Sequence, residues 1–421
     1  MTTTALRKRI ESVSPTRQRI MGILFLVLGL SIWFFMSRSV EAGILTTFDM
    51  NPGGADEMLP DWTFQTVPML NILAIASAVF GGIQIARGFG RWTNTVLGVV
   101  VAFFVFGFLA WSAADNSLNM AGMLGSSLLK AVPITLGAMS GILCERSGII
   151  NIAIEGMMLL GAMMGALVGS VTGSLFLGLV SAVASGVFLA YILAWMSIKY
   201  KVDQIITGTV INIFATGITS YISAKFMQTY QELNIPGIFP RFEIPLLAEI
   251  PFIGPIFFNQ NIFVYAMYIL LIALNFGLFK TRWGLRLRSV GEHPRAADTL
   301  GINVFRTRYM ATMLGGAVAG LAGAYFTLGS VGRFDEVMTA GRGFIGLAAM
   351  IFGNWNPFGS FSAGLLFGFA DSLATKLAIL GIRIPSQFLG MAPYIATMIV
   401  LAGVVGRGQA PASEGKPYET E

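Results

Sequence analysis

The feature that most constrains this chain is a succession of apolar runs, each close to 20 residues long, separated by short polar connections. A helix crossing a hydrocarbon core of about 30 Å needs about 20 mostly apolar residues, because each adds about 1.5 Å. Runs of that kind lie at 20–36, 67–86, 95–114, 121–143, 150–169, 175–198, 204–224, 262–279, 309–330, 358–375 and 390–406, with a shorter one at 340–353. Only 11% of the 421 residues are charged and 55% are hydrophobic, whereas a soluble chain carries about a quarter charged residues. The pattern predicts an all-α polytopic membrane protein of about ten to twelve transmembrane helices. The first run follows Arg7, Lys8, Arg9, Arg17 and Arg19 and has a cleaved signal sequence as its alternative, though it exceeds the usual length of a signal core.

Basic loops stay cytoplasmic, so the Lys and Arg distribution sets orientation with the N-terminus inside. Arg87 and Arg91, Lys199 and Lys201, and the cluster from Lys280 to Arg308 then share the cytoplasmic side. Glu41, Asp49, Asp56, Glu57 and Asp61 fall on the opposite side, as do Glu232, Glu243 and Glu249. Five prolines between Gln228 and Asn261 predict an ordered, non-helical outer cap. The tail from Arg407 is short, polar and expected to be cytoplasmic, its side depending on whether the short segment before Gly353 crosses or turns back. The net charge of +6 is dispersed among membrane loops, which excludes a nucleic-acid-binding face. Cys144 and His293 are the only residues of their types, so neither a disulfide nor a thiolate or histidine metal site is expected, and no cofactor or catalytic group is implied.

Two stretches interrupt the apolar pattern, as paired segments of an internal repeat. Irregular backbone at membrane depth survives only where it is buried in protein or lines a wet cavity, and paired interrupted segments point to a substrate path. The first runs from Leu136 to Ala166 and holds Glu145, Arg146, Asn151 and Glu155; the second runs from Gly332 to Ser360 and holds Arg333, Arg342, Asn354, Trp355 and Asn356. A carboxylate at a helix centre costs about 2.5 to 3.5 kcal/mol on insertion scales, so Glu155 needs a partner, a cavity or a proton relay. Asn151, one turn away, offers a donor and an acceptor to a polar solute. In VDQIITGTVIN, Thr209 and Asn212 can share one face, although membrane threonines usually bond their own backbone. Trp355 either anchors at the headgroups or stacks on a flat solute. The candidate path is therefore Asn151, Glu155, Thr209, Asn212, Asn354 and Trp355; the competing role is helix packing for Asn151, Glu155 and Asn212, bonding to its own backbone for Thr209 and headgroup anchoring for Trp355. Met157, Met158, Met163 and Met164 read as gap fillers, and GGAVAGLAGA from Gly315 to Ala324 as close helix contact.

The longest and most basic connection, Lys280 to Arg308, contains a short helix opened near Pro294 and closed by Gly301. Its GEHPRAADTLGINV resembles the loop by which permease subunits of binding-protein-dependent ABC importers engage their ATPase. The resemblance assigns that contact to Glu292, Pro294, Arg295, Ala296, Ala297, Gly301 and Ile302. ERSGIINIAIEGMMLLGA, VDQIITGTVINIFATGITSY and GRGFIGLAAMIFGNWNPFGSFSAGLLFG are similar to the nucleoside and simple-sugar branch of those permeases, relatives of the ribose and branched-chain amino acid permeases.

The resemblance implies a permease core over 116–406, a short polar cytoplasmic tail over 407–421, and an N-terminal extension of two to three spans over 1–115. It also implies a prokaryotic inner membrane, a second permease subunit, two ATPase subunits and an extracytoplasmic lipoprotein or periplasmic binding protein. No GxxxxGK[ST] phosphate loop occurs in the chain, so ATP hydrolysis would fall to a separate subunit. Nucleosides rank first as cargo, simple sugars second and branched-chain amino acids third. A secondary transporter using Glu155 for proton or ion coupling is the competing class, and an assembly factor without transport is a third.

Overall fold

The computed structural model describes residues 15–53, 59–379, 391 and 409–419. Among them ten helices are long and apolar enough to cross a membrane. The expected run at 390–406 lies outside the described residues, apart from Met391. The chain divides into two compact units at Ala121 and Gly122.

The first unit holds α1 (Pro15–Ser39), β1 (Leu45–Asp49), β2 (Trp62–Gln65), α2 (Thr66–Ala86), α3 (Gly90–Ser112) and β3 (Ser117–Asn119). The strands form a small sheet in the order β2-β1-β3, with β1 antiparallel to β2 and parallel to β3. None of these strands is readable as an alternating run, because they are three to five residues long. The sheet is pinned by Phe48, fully buried and edge-on to Trp62, Phe64 and Phe106 at 5.4–6.0 Å. Thr46 Oγ1, also buried, donates to Ala110 O at 2.9 Å. Gly22 and Gly81 let α1 and α2 approach closely, since a methyl group at either would press on the other's carbonyl at 3.0 Å.

The second unit comprises α4 (Met120–Glu145), α5 (Ile154–Thr172), α6 (Leu175–Ile198), α7 (Gln204–Met227), β4 (Arg241–Glu243), α8 (Ile253–Phe257), β5 (Asn259–Asn261) and α9 (Ile262–Lys280). It continues with α10 (Arg282–Glu292), α11 (Pro294–Thr299), α12 (Val304–Val331), α13 (Arg342–Phe352) and α14 (Pro357–Ile379). Asp203, Asn261, Thr281 and Asn303 cap α7, α9, α10 and α12 with side-chain oxygens that accept from first-turn amides. The outer segment from Gln228 to Asn261 differs in part from a wholly non-helical cap. It carries the antiparallel β4–β5 pairing, but also a 3-10 turn at Gln231–Asn234 and the single helical turn of α8 between Pro251 and Phe258.

The burial pattern separates an inner core from an outer ring. In α4, α5 and α12 most of the apolar stretch is buried, 89%, 72% and 78%, against 28% in α6, α7 and α9. Glycines make the inner packing possible, as the Gly315 to Ala324 motif predicts. A methyl group at Gly320 would collide with the Ala182 carbonyl of α6, one at Gly323 with the Met158 carbonyl of α5, and one at Gly315 with Cys144 of α4. Backbones therefore touch directly, and dispersion over a tight surface takes over where lipid offers no hydrophobic drive between helices.

The short segment before Gly353 crosses the bundle, in two pieces. Phe334 exchanges hydrogen bonds with Asn234, just beyond the end of α7, at 2.7 and 2.9 Å. Trp355 bonds Glu145 near the beginning of α7, where Gln204 meets Ile150. Residues 332–341 form a non-helical leg, and α13 supplies 11 residues, or roughly 16 Å, about half of a membrane core.

Gly320→Val should overpack the contact between α12 and α6 and cost about 1–3 kcal/mol or more. The apparent melting temperature of detergent-solubilised protein should fall clearly. Gly217→Ala, at a position with nothing within 4 Å, should leave it unchanged.

Candidate functional site

The two interrupted segments meet inside the second unit. Between α4 and α5 the chain leaves the helix over residues 146–153, turning at Gly148 with φ +94°. Free backbone groups there need partners, and α7 provides them. Ile150 N–H donates to Gln204 Oε1 at 2.7 Å, Asn212 Nδ2 donates to Ile152 O at 2.9 Å, and Gly156 N–H donates to Asn212 Oδ1 at 2.8 Å. Asn212 thus holds the end of the break that leads into α5. Asn151 is fully buried within it, its Nδ2 near Cys144 Sγ at 3.3 Å and Ser140 Oγ at 3.5 Å. Its Oδ1 has no partner among the described residues.

Glu155 faces the head of α13. Its Oε1 accepts from Thr339 Oγ1 at 2.6 Å and from Gly341 N–H at 2.9 Å, and its Oε2 accepts from Gly343 N–H at 2.6 Å. Gly341, at the N-cap position, has no side chain with which to cap the helix, and its φ of +77° suits glycine. The carboxylate from α5 takes the capping role, and its charge lies against the positive end of the helix dipole. Gly343 is required by the close approach, because a Cβ there would lie 2.6 Å from Glu155 Cα. The pattern GRG at 341–343 is therefore the imprint of a carboxylate seated on a half-helix.

Beside this head, Arg342 Nη2 donates to Asp371 Oδ2 at 2.9 Å. Lys130 Nζ donates to the Asp371 carbonyl at 2.9 Å and lies 3.6 Å from its carboxylate. The three side chains are 25–30% exposed, and they tie α4, α13 and α14 together. With Glu155 they make a group of two cations and two anions.

At the far end of α13, Asn354 and Trp355 adopt left-handed backbone, φ +54° and +51°. Trp355 is buried, and its indole Nε1 donates to Glu145 Oε2 at 2.6 Å. Arg146 grips the same turn, with Nε and Nη2 donating to Trp355 O at 3.2 and 3.0 Å. Burial pushes the Arg146 guanidinium down, and the nearby Glu292 carboxylate opposes that shift. The ends of the two interrupted segments are thereby locked to each other.

The basic connection leads to this lock. α11 opens with Pro294 at its first turn and is closed by Gly301, φ +79°, as the sequence predicts. Glu292, Arg295 and Ala296 are exposed, while Ala297 is buried beneath. At the end of α10, Gly291 lies against Arg146 so closely that a methyl group would collide with the Arg146 carbonyl. The path from α11 through α10 to the break is thus one of direct backbone contact.

Of the six expected path residues, Asn151, Glu155 and Asn212 come together at the break, and Asn354 and Trp355 at the lock. Thr209 is separate: it lies exposed on the outer face of α7 and donates to its own helix at Ile205 O, 2.9 Å. Thr339, Gly341, Gly343, Lys130 and Asp371 escape sequence reasoning. The first three act through a loop whose register is invisible in one dimension, and the last two are single charges far apart in the chain.

A family model described as a branched-chain amino acid transport system permease component matches residues 123–405. The chain belongs to this permease family. The guanosine ABC transporter permease protein NupQ of Bacillus subtilis is 41% identical over 305 residues, covering 70% of this chain and 95% of the relative. The nucleoside ABC transporter permease protein NupC of Lactococcus lactis is 39% identical over 312 residues, 72% of this chain and 98% of the relative. A putative glucose ABC transporter permease protein of Haloferax volcanii, TsgC13, is 31% identical, covering 69% of this chain and 93% of the relative. No solved structure matches significantly. The family match begins at residue 123, next to the boundary between the two units, and residues 1–122 lie outside it.

Glu155→Gln should place an amide N–H₂ against a buried amide donor, at about 1–3 kcal/mol for each donor left without a partner. The permease should melt earlier in detergent. Reduced uptake with unaltered melting would mark Glu155 as a solute contact instead.

Proposed function

We propose that this permease is one membrane-spanning half of an ABC importer for nucleosides in a prokaryotic inner membrane. The observation that carries the reading is the 41% identity to a guanosine permease over 95% of that protein's length. A second permease would complete the membrane part, two ATPase subunits would dock at the cytoplasmic side, and an extracytoplasmic binding protein would deliver cargo. The chain lacks a phosphate loop of its own, which fits a division of labour with separate motors.

Half-helix N-termini at membrane depth are natural seats for anionic groups of a solute. In this permease that seat is filled by Glu155, and the neighbouring charges balance as two cations against two anions. Such a path suits a neutral solute, which favours nucleosides and sugars over amino acids with their carboxylates. The same three donors on Glu155 argue against a proton carrier, since protonation would forfeit the interactions that seat α13.

The path itself would run along the exposed face of α7, where Thr209, Ile213 and Thr216 follow one another at about one-turn spacing, facing the second permease. Asn151, Glu155 and Asn212 would shape the wall behind it, and Asn354 with Trp355 its cytoplasmic end. Glu292 to Ile302 would be the motor's foothold, with the N-terminus on the same side. ATP-driven movement of α11 would reach the break through Gly291 and Arg146, and switching requires that those contacts differ between two states. The first unit would serve anchoring or partner contact.

Proteoliposomes holding the whole complex should take up labelled guanosine at least roughly tenfold faster with internal ATP than without, and unlabelled leucine should not compete. Thr209→Trp should lower that uptake without changing melting, because the side chain is exposed. Uptake driven by a pH gradient without any ATPase subunit would overturn the reading.

A further inference from the structure

The C-terminal segment is polar in composition, and a polar chain end is ordinarily solvated. Here it is bonded along its length. Gln409 N–H donates to Asn354 Oδ1 at 3.0 Å, Ala412 N–H to Glu292 Oε2 at 3.2 Å, Ser413 N–H to Gly291 O at 2.9 Å, and Gly415 N–H to Gly148 O at 3.1 Å. Arg308, 2% exposed, donates from Nη1 to Lys416 O at 3.1 Å and from Nε to Ser147 O at 3.2 Å. A guanidinium buried that deeply needs acceptors, and the tail supplies one of them.

Tyr418 fastens the far end. It is 7% exposed and completes a small apolar cluster with Val290, Ala297 and Val304, its ring 5.5 Å from that of Phe305. Its hydroxyl donates to Asp298 Oδ2 at 2.7 Å. The buried side of α11 therefore rests on a residue of the tail. Glu419 pairs with Lys201, which holds its carboxyl below the usual range. The outward edges of α11 and the tail, Pro294 and Arg295 on one side and Lys416 and Pro417 on the other, form the walls of an open cleft of about 630 Å³.

A partner that grips α11 must meet this cleft. A stable protein interface buries about 800 Å² on each side, whereas a six-residue helix is only about 9 Å long. Its neighbours have to contribute, and the tail is flush with it. We propose that the motor's foothold is composite, the ATPase docking on α11 and the segment 409–419 as one surface. The inference rests on the ABC reading above. Since the tail also bonds Gly148, Gly291 and Asn354, a load on it is delivered to the break and the lock as well as to α11.

The test uses the assembled complex of permease and ATPase. Cys144 is the only cysteine and is buried, so Ala296→Cys and Pro417→Cys, both at exposed positions, each give one reactive thiol. A short maleimide–succinimidyl cross-linker then joins that thiol to ATPase lysines. Cross-links at both positions are the expected result. Linkage from 296 alone overturns the composite foothold and leaves the ABC reading intact. Linkage from 417 alone also overturns it, because α11 would then not be gripped. Linkage from neither, in a complex that still transports, overturns the foothold assignment itself. Thr299→Cys and Glu419→Cys repeat the comparison should either first variant fail to assemble.

Discussion

A carboxylate carried into an apolar bundle must be met by donors, and the second unit brings three of them to Glu155. One is a hydroxyl and two are backbone amides, from the segment that leads into α13 and from its first turn. That single arrangement satisfies the charge, caps a helix whose N-cap residue is glycine, and fixes the depth at which the non-helical leg gives way to helix. Remove the carboxylate and three donors lose their acceptor at once. The cost of an unpartnered buried donor, about 1–3 kcal/mol, makes this a determinant of shape beyond local stability.

The rest of the core turns one fixed point into a lever. From the head of α13 the half-helix runs to Trp355, where Glu145 and Arg146 hold it. These two residues begin the break whose other end is held by Asn212. Gly291 lies directly on the Arg146 carbonyl, so little side chain intervenes between the amphipathic α10 and the membrane core. Packed contacts of this kind transmit displacement because interiors are close-packed and do not absorb strain gradually.

What the sequence revealed depended on the range of the interaction. Helices announce themselves through local apolarity, and caps such as Asp203, Asn261 and Asn303 through the residues beside them. α11 was legible from Pro294 and Gly301 for the same reason. That the interrupted segments are a pair was readable; how they are joined was not. Thr339, Gly341 and Gly343 reach Glu155 across more than 180 residues, two of them through backbone amides that no side-chain pattern marks. Thr209 shows the complementary difficulty, since helical spacing placed it near Asn212 while the surrounding helices left it outside. The attachment of the tail was not readable, because its bonds to Gly291 and Gly148 are made by main-chain amides.

The seating of α13 by Glu155 is the claim on which the others lean, and backbone hydrogen exchange reads it in the unmodified permease. Amides of Gly341 and Gly343, resolved by mass spectrometry of overlapping peptides, should exchange as slowly as those inside α13. Exchange as fast as that of residues 335–338 in the preceding leg would show the carboxylate unbound and contradict the account.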